Sequence, residues 1–296
     1  MSVVVRRVGP EAAPDVLAVV REAFGARPSL DPPADALGED VDSIARLLAV
    51  RGGLLATIDD APVGCAVLDA VPAGLVLRRF GVVPSAQGRG VATALVGAAK
   101  QAAVGRAALV VVAREELPET VAFWERHGFA ETGRSTPYVE LSLALDTDFE
   151  APDAETMRGL GERVGRSLAA GDLVVLTGEL GAGKTTFTQG LGTGLQVRGG
   201  VTSPTFVIAR VHPSLVGGPD LVHVDAYRLG GLDELDDLDL DASLDDAVTV
   251  VEWGAGLAES LADSRLKVVI ERAVGDAPAD DELDPRRVCL RWVVGQ

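Results

Sequence analysis

Gly178-Glu179-Leu180-Gly181-Ala182-Gly183-Lys184-Thr185 is the stretch that decides the fold of the second half of this 296-residue chain. It fits the pattern G-x-x-x-x-G-K-[ST], in which the glycines let backbone N–H groups turn inward around a phosphate. An apolar segment typical of a strand, Leu173–Leu176, precedes the loop, and a helical segment, Thr185–Leu195, follows it. This strand–loop–helix order predicts a nucleotide-binding α/β core.

The loop also predicts how a nucleotide would be held. The start of the following helix supplies unpaired N–H donors and the positive end of the helix dipole. Lys184, one of only three lysines in the chain, would reach the β- and γ-phosphates, and the Thr185 hydroxyl would ligate Mg²⁺. The predicted phosphate-binding residues are Gly178, Glu179, Leu180, Gly181, Ala182, Gly183, Lys184, Thr185 and Thr186.

Three later segments offer the polar groups that a nucleotide site needs beyond this loop. They are Ser203–Phe206, His223–Leu229 and Glu252–Trp253. In open α/β sheets, ligands bind at the carboxyl ends of the strands. Asp225 and Glu252 both stand at such predicted ends, so both could face the phosphates.

These four segments, taken in order, resemble the TsaE (YjeE-like) family of ATPases, which works in tRNA threonylcarbamoyladenosine synthesis. The resemblance covers about Pro152 to Val293. It implies an ATPase that drives a partner complex, with protein partners in the tRNA threonylcarbamoyl-transfer complex and tRNA contacted only indirectly. The implied site roles are ATP binding by the phosphate loop and Thr205, Mg²⁺ ligation by Thr185, Asp225 and Glu252, and catalysis by Lys184, Asp225 and Glu252.

Two segments of the first half carry a second resemblance. Gln87–Ala92 has the form [QR]-x-x-G-x-[GA] before a predicted helix, and Ala122–Phe129 lies further along the chain. Together they resemble the GNAT acetyltransferase superfamily, across roughly Val3 to Leu145. The resemblance implies acetyl-CoA as a ligand, with these residues around it: Val82, Gln87, Gly88, Arg89, Gly90, Val91 and Ala92.

The acetyl-transfer chemistry of the first half is not identified by the sequence. In the superfamily the general acid is often a tyrosine four residues before a Gly-Phe pair, and Trp124 stands at that place. The predicted strand Gly74–Val83 carries no carboxylate that could act as a base. Two alternatives therefore stay open: an N-acetyltransferase that ATP regulates, or an ATPase with a degenerate acetyltransferase-like interaction module.

The organisation follows from these two resemblances. We expect an α/β protein with two domains: a GNAT-like mixed α/β sheet over residues 1–147 and a P-loop NTPase α/β core over residues 148–296. The boundary is placed within Asp146–Asp153, because the strand pattern of Tyr138–Leu145 ends there and a helical pattern follows.

The charge of the chain limits its direct partners. With 27 basic and 44 acidic residues the formal net charge is −17, which argues against a surface that clamps nucleic acid or an anionic membrane. Eight acids and no base lie within Gly231–Asp246, which is either a solvated face or a docking surface for a basic partner. Two distant cysteines and the lack of a long apolar stretch favour a cytoplasmic protein.

Overall fold

The computed structural model describes residues 2–71, 74–230, 234, 244–262, 264–272 and 285–294. The chain divides into two compact units, Met1–Ala103 with Ala108–Leu145, and Val104–Ala107 with Asp146–Gln296. Within the described residues, no helix is both long and apolar enough to span a bilayer. Most of the acidic segment Gly231–Asp246 lies outside the described residues, so both of its interpretations stay open.

The first unit is a mixed sheet with helices between its strands. Its strand order is β1-β2-β3-β4-β5-β7-β6, with β4 and β5 parallel and the other neighbouring pairs antiparallel. The elements are β1 (Val3–Val8), α1 (Ala13–Gly25), α2 (Val41–Arg51), β2 (Gly53–Ile58), β3 (Ala61–Val71), β4 (Gly74–Val82), α3 (Val91–Ala102), β5 (Ala108–Arg114), α4 (Pro118–Arg126), β6 (Ala130–Ser135) and β7 (Tyr138–Ala144).

Strands β4 and β5 separate along their length. They pair only over Gly74–Val76, although β4 continues to Val82 and β5 to Arg114. A β-bulge in the β3–β4 pairing accompanies the separation, and Arg79 there adopts a left-handed φ of 51°. The sheet core beside this opening is apolar, with Leu68, Leu95 and Leu109 fully buried.

The second unit has a mixed sheet with a parallel centre, in agreement with the α/β core that the phosphate loop predicts. Its strand order is β10-β11-β12-β9-β13-β14-β8, and β11, β12, β9 and β13 are mutually parallel. The elements are β8 (Asp148–Ala151), α5 (Ala154–Ser167), β9 (Leu173–Thr177), α6 (Lys184–Gly194), β10 (Ala209–His212), β11 (Asp220–Asp225), β12 (Ala247–Glu252), β13 (Ser264–Arg272) and β14 (Arg286–Val294).

The bounds of two elements differ from those that the sequence pattern predicts. The sequence predicts a strand over Phe206–Val211, but β10 starts at Ala209, because the N–H groups of Val207 and Ile208 both donate to the carbonyl of Pro204 and close a turn. The helical periodicity of Ala154–Ala170 predicts a longer helix than the structure has: α5 ends at Ser167, because the backbone becomes extended at Leu168, and the Asp172 carboxylate accepts the Ala169 N–H at 2.8 Å beyond that end. Asp153 is the N-cap of α5, and its carboxylate accepts the N–H of Thr156 at 2.7 Å.

Glycines let helix α6, which carries Lys184, pack closely against α5. Gly161 and Gly165 of α5 face Gly190 and Gly194 of α6, and a Cβ at any of these positions would fall on a backbone carbonyl oxygen of the opposite helix. The two backbones therefore approach as closely as the absence of side chains allows. This contact fixes the position of the helix that starts at the phosphate loop.

Gly190→Ala is expected to lower the free energy of unfolding by about 2 kcal/mol, because overpacking outweighs the better helix propensity of alanine. Its Cβ would fall on the carbonyl oxygen of Arg158. Gly159→Ala is the matched control, since a Cβ there meets nothing within 4 Å. Chemical denaturation of both variants measures the difference, and equal stability of the two would contradict close helix contact.

Candidate functional site

The phosphate loop is shaped by glycine conformations and a close backbone approach. Gly181 and Gly183 have φ values of 77° and 106°, which side chains on L-residues rarely tolerate. A Cβ on Gly178 would lie 2.6 Å from the carbonyl oxygen of Ile270 on β13. The loop is therefore fixed by backbone geometry between the end of β9 and the start of α6.

Lys184 is folded back onto its own loop. Its Nζ donates to the carbonyl oxygens of Gly178 and Glu179 at 2.8 and 3.0 Å, and lies 3.8 Å from the ring centroid of Trp253. Burial lowers the pKa of Lys184, while the nearby charges of Glu252 and Asp225 act in the opposite direction. The ammonium is thus held next to acceptors that a phosphate could replace.

Glu252 is a buried carboxylate at the end of a parallel strand. It is 3% exposed and is the last residue of β12. Its Oε1 accepts from the Thr185 hydroxyl at 3.2 Å and lies 2.9 Å from Nε2 of the fully buried His223. The sheet register pairs Glu252 with Asp225 of β11, so the two carboxylates come together as predicted from the strand ends.

Asp225 anchors the segment that contains Thr205. Its Oδ2 accepts from the hydroxyls of Thr205 and Ser203, the latter at 3.2 Å, and its Oδ1 accepts from the N–H of Tyr227 at 3.1 Å. Asp225 is 4% exposed, and these donors compensate its burial. The structure thereby places Thr205 beside a carboxylate of the site.

The oxygen groups at Thr185 and Glu252 fit a Mg²⁺ ion. Magnesium prefers oxygen ligands and usually keeps waters and substrate phosphates beside one or two carboxylates. Within the described residues, no group of three or more His, Cys, Asp or Glu side chains is arranged to hold a metal. The metal roles of Thr185, Asp225 and Glu252 stay predictions.

The other candidate site lies in the first unit, where β4 and β5 separate. Gly88 and Gly90 have φ values of 73° and 79°, and a Cβ on either would meet no atom within 4 Å. Gly90 is the N-cap of α3 and is exposed together with Gln87 and Arg89. The exposed backbone at a helix N-terminus can bind an anion.

Trp124 packs in the core. The residue is 4% exposed, and its ring centroid lies 4.7 to 5.1 Å from the ring centroids of Phe80, Phe123 and Phe129. The position where the GNAT resemblance implies a general acid therefore holds a tryptophan of an aromatic cluster.

One carboxylate that contacts β4, that of Glu39, was not predicted from the sequence. Glu39, from the loop before α2, forms an ion pair with Arg79 of β4 and has a side chain that is 10% exposed. Both line a cavity of about 990 Å³. Forty residues separate the two along the chain, so no local pattern could have indicated the pair.

A family model described as threonylcarbamoyl adenosine biosynthesis protein TsaE matches residues 151–277. The tRNA threonylcarbamoyladenosine biosynthesis protein TsaE of Streptomyces coelicolor is 71% identical over 121 residues, which are 40% of this chain and 82% of that protein. The chain belongs to the TsaE family. The Mycobacterium tuberculosis TsaE is 53% identical over 146 residues, covering 47% of this chain and 87% of that protein.

The TsaE match lies within the second unit, which has a P-loop NTPase-like fold. A second family model, the acetyltransferase (GNAT) domain, matches residues 51–131. The chain therefore combines a GNAT-like domain with a TsaE domain. Among solved structures, the crystal structure of Bacillus subtilis YdiB is 31% identical to this chain, with a TM-score of 0.39. The match covers 50% of this chain and 85% of the YdiB chain.

Proposed function

We propose that the second unit binds and hydrolyses ATP with Mg²⁺, and that the chain acts as the ATPase subunit of tRNA threonylcarbamoyladenosine modification. The observation that carries the proposal is a hydrogen bond from the Thr185 hydroxyl to the buried Glu252 carboxylate. Thr185 lies at the start of the helix that follows the phosphate loop. The names of the similar TsaE proteins support the tRNA-modification role. The net charge of −17 favours tRNA contact through partner proteins.

Each residue of the site has a distinct task in this proposal. The ammonium of Lys184 transfers from the loop carbonyls to the β- and γ-phosphates, where its charge offsets the phosphate charge. Thr185 and Glu252 hold the metal, with Asp225 beside them, and Thr205 reports on the γ-phosphate through its bond to Asp225. Bound Mg²⁺ neutralises charge that develops on the phosphate oxygens.

Reconstitution with the protein partners of the threonylcarbamoyl-transfer complex tests this function. We expect repeated turnovers of tRNA modification to require the chain and ATP, and the rate of ATP hydrolysis to rise when the partners are added. Modified tRNA would be counted by mass spectrometry of nucleosides. Modification at an unchanged rate without the chain would contradict the proposed role.

A second candidate function is acetyl-CoA binding by the first unit. The separation of β4 from β5 and the exposed loop at the start of α3 favour it. Backbone N–H groups of Gln87–Ala92 would hold the pyrophosphate, and the backbone near Val82 would hold the pantetheine. Whether acetyl transfer or ATP hydrolysis is the main activity would be decided by turnover on amine acceptors with and without ATP.

Gly90→Val is expected to weaken acetyl-CoA binding at least about tenfold, because a branched side chain strains the left-handed N-cap and occupies the anion position. Gly97→Val, at an exposed position of the same helix, is the control. Isothermal titration calorimetry on the full chain measures both. A wild-type chain that binds no acetyl-CoA would instead support the degenerate interaction module.

A further inference from the structure

We propose that Arg286 is a positioning residue of the ATP site, which sets the phosphate loop in its binding conformation. The proposal rests on the ATP-binding function proposed above. Arg286 is the first residue of β14 and is 9% exposed. Its Nε donates to the carbonyl oxygen of Ala182 at 3.2 Å, and its Nη2 to that of Gly181 at 3.5 Å.

Two cationic side chains share the carbonyl oxygens of the loop. Lys184 donates to the carbonyl oxygens of Gly178 and Glu179. Arg286 donates to those of Gly181 and Ala182. An Nζ that moves toward a phosphate exchanges at least part of its bonding to these carbonyls for bonds to the phosphate oxygens. The Arg286 bonds can persist, so Arg286 is the cation that holds the loop while a nucleotide is bound.

The geometry of a planar peptide links this contact to phosphate binding. Carbonyl and N–H groups of one trans peptide point in opposite directions. When Arg286 holds the carbonyl of Ala182, the N–H of Gly183 therefore points away from Arg286. Gly183 is the N-cap of α6, and an anion at that helix start is bound by such N–H groups.

An arginine suits this role better than a lysine. Its guanidinium is a rigid planar fork that stays charged and can bond to two adjacent carbonyl oxygens at once. A lysine ammonium is a point charge without this fixed spacing. We therefore expect Arg286→Lys to retain part of the effect and Arg286→Met, which keeps the buried stem but no donor, to lose it.

Nucleotide titrations of the full chain test the proposal. Arg286→Met is expected to weaken ATP and ADP binding by about tenfold each, which corresponds to about 1.4 kcal/mol. In hydrolysis assays KM should rise while kcat at saturating ATP stays within about twofold. Arg287→Met is the matched control, because the next side chain along the strand is 63% exposed and pairs with Asp148.

Chemical rescue separates loop positioning from a merely structural role. In Arg286→Ala, added methylguanidine should restore ATP affinity, because the free guanidinium can occupy the same carbonyls. Unchanged affinity in Arg286→Met, or a lowered Tm with no rescue, would overturn the role of Arg286 while leaving ATP binding by the wild type intact. A wild-type chain that binds no ATP would overturn the proposed function as well.

Discussion

Lys184→Ala is expected to weaken ATP binding by at least about 100-fold, because it removes the charge-assisted bonds to the terminal phosphates. In the structure the Nζ already lies among acceptors that a phosphate can replace, at 2.8 and 3.0 Å from two loop carbonyls. Removing a partly desolvated cation should also leave the fold intact. Calorimetric titration with ATP and Mg²⁺ measures the loss, and the Tm is recorded alongside.

Lys267→Ala is the matched control for that experiment. Lys267 lies on β13 in the same sheet, but its side chain is exposed. We expect its ATP affinity to equal that of the wild type. Full ATP affinity in Lys184→Ala would show that the loop does not bind the phosphates in the proposed way.

Glu252→Gln is expected to lower ATP hydrolysis by about 100-fold or more, while ATP affinity changes much less. The amide keeps the shape of the side chain but removes the negative charge that holds the metal at the reacting phosphates. Its contacts to Thr185 and His223 can be retained in part, which limits damage to the fold. Steady-state hydrolysis in the presence of the partner proteins gives kcat, and titration gives the affinity.

Glu150→Gln serves as the comparison for Glu252→Gln. Glu150 is an exposed carboxylate on β8 of the same unit. Its substitution should leave both hydrolysis and ATP affinity unchanged. Wild-type hydrolysis by Glu252→Gln would exclude Glu252 from the reaction and reduce its role to supporting Thr185 and His223.

The sequence predicts the parts of the site that are encoded locally. The phosphate loop is a continuous stretch whose glycines and lysine indicate phosphate binding. The positive φ values at Gly181 and Gly183 are the backbone conformations for which such a loop needs glycine. Asp225 and Glu252 are predicted together because parallel strands end at one edge, and the register pairs them.

The remaining features depend on residues that are distant in sequence. Arg286 follows Ala182 by 104 positions, and Glu39 precedes Arg79 by 40, so only the folded chain brings each pair together. The α5–α6 contact has glycines in both helices, but which glycines face each other is set by the crossing of the helices. Phe206 and Val207 have strand-like residue types, yet hydrogen bonds to Pro204 turn the chain there.

The TsaE resemblance also explains why the acidic charge does not exclude a role in tRNA modification. An ATPase subunit needs a cation for the phosphates, which Lys184 supplies locally, and a loop that is held in place, which Arg286 supports. It does not need a basic surface when partners hold the RNA. The acidic segment Gly231–Asp246 keeps both of its interpretations, and charge reversal there would distinguish them through partner affinity.

Calorimetric titration of the wild-type chain with ATP, in the presence and absence of Mg²⁺, tests the central claim most directly. The account predicts one ATP site per chain, tighter with Mg²⁺ than without it, and strongly weakened in Lys184→Ala. A chain that shows no ATP binding, or binds ATP equally well after Lys184→Ala, would contradict it.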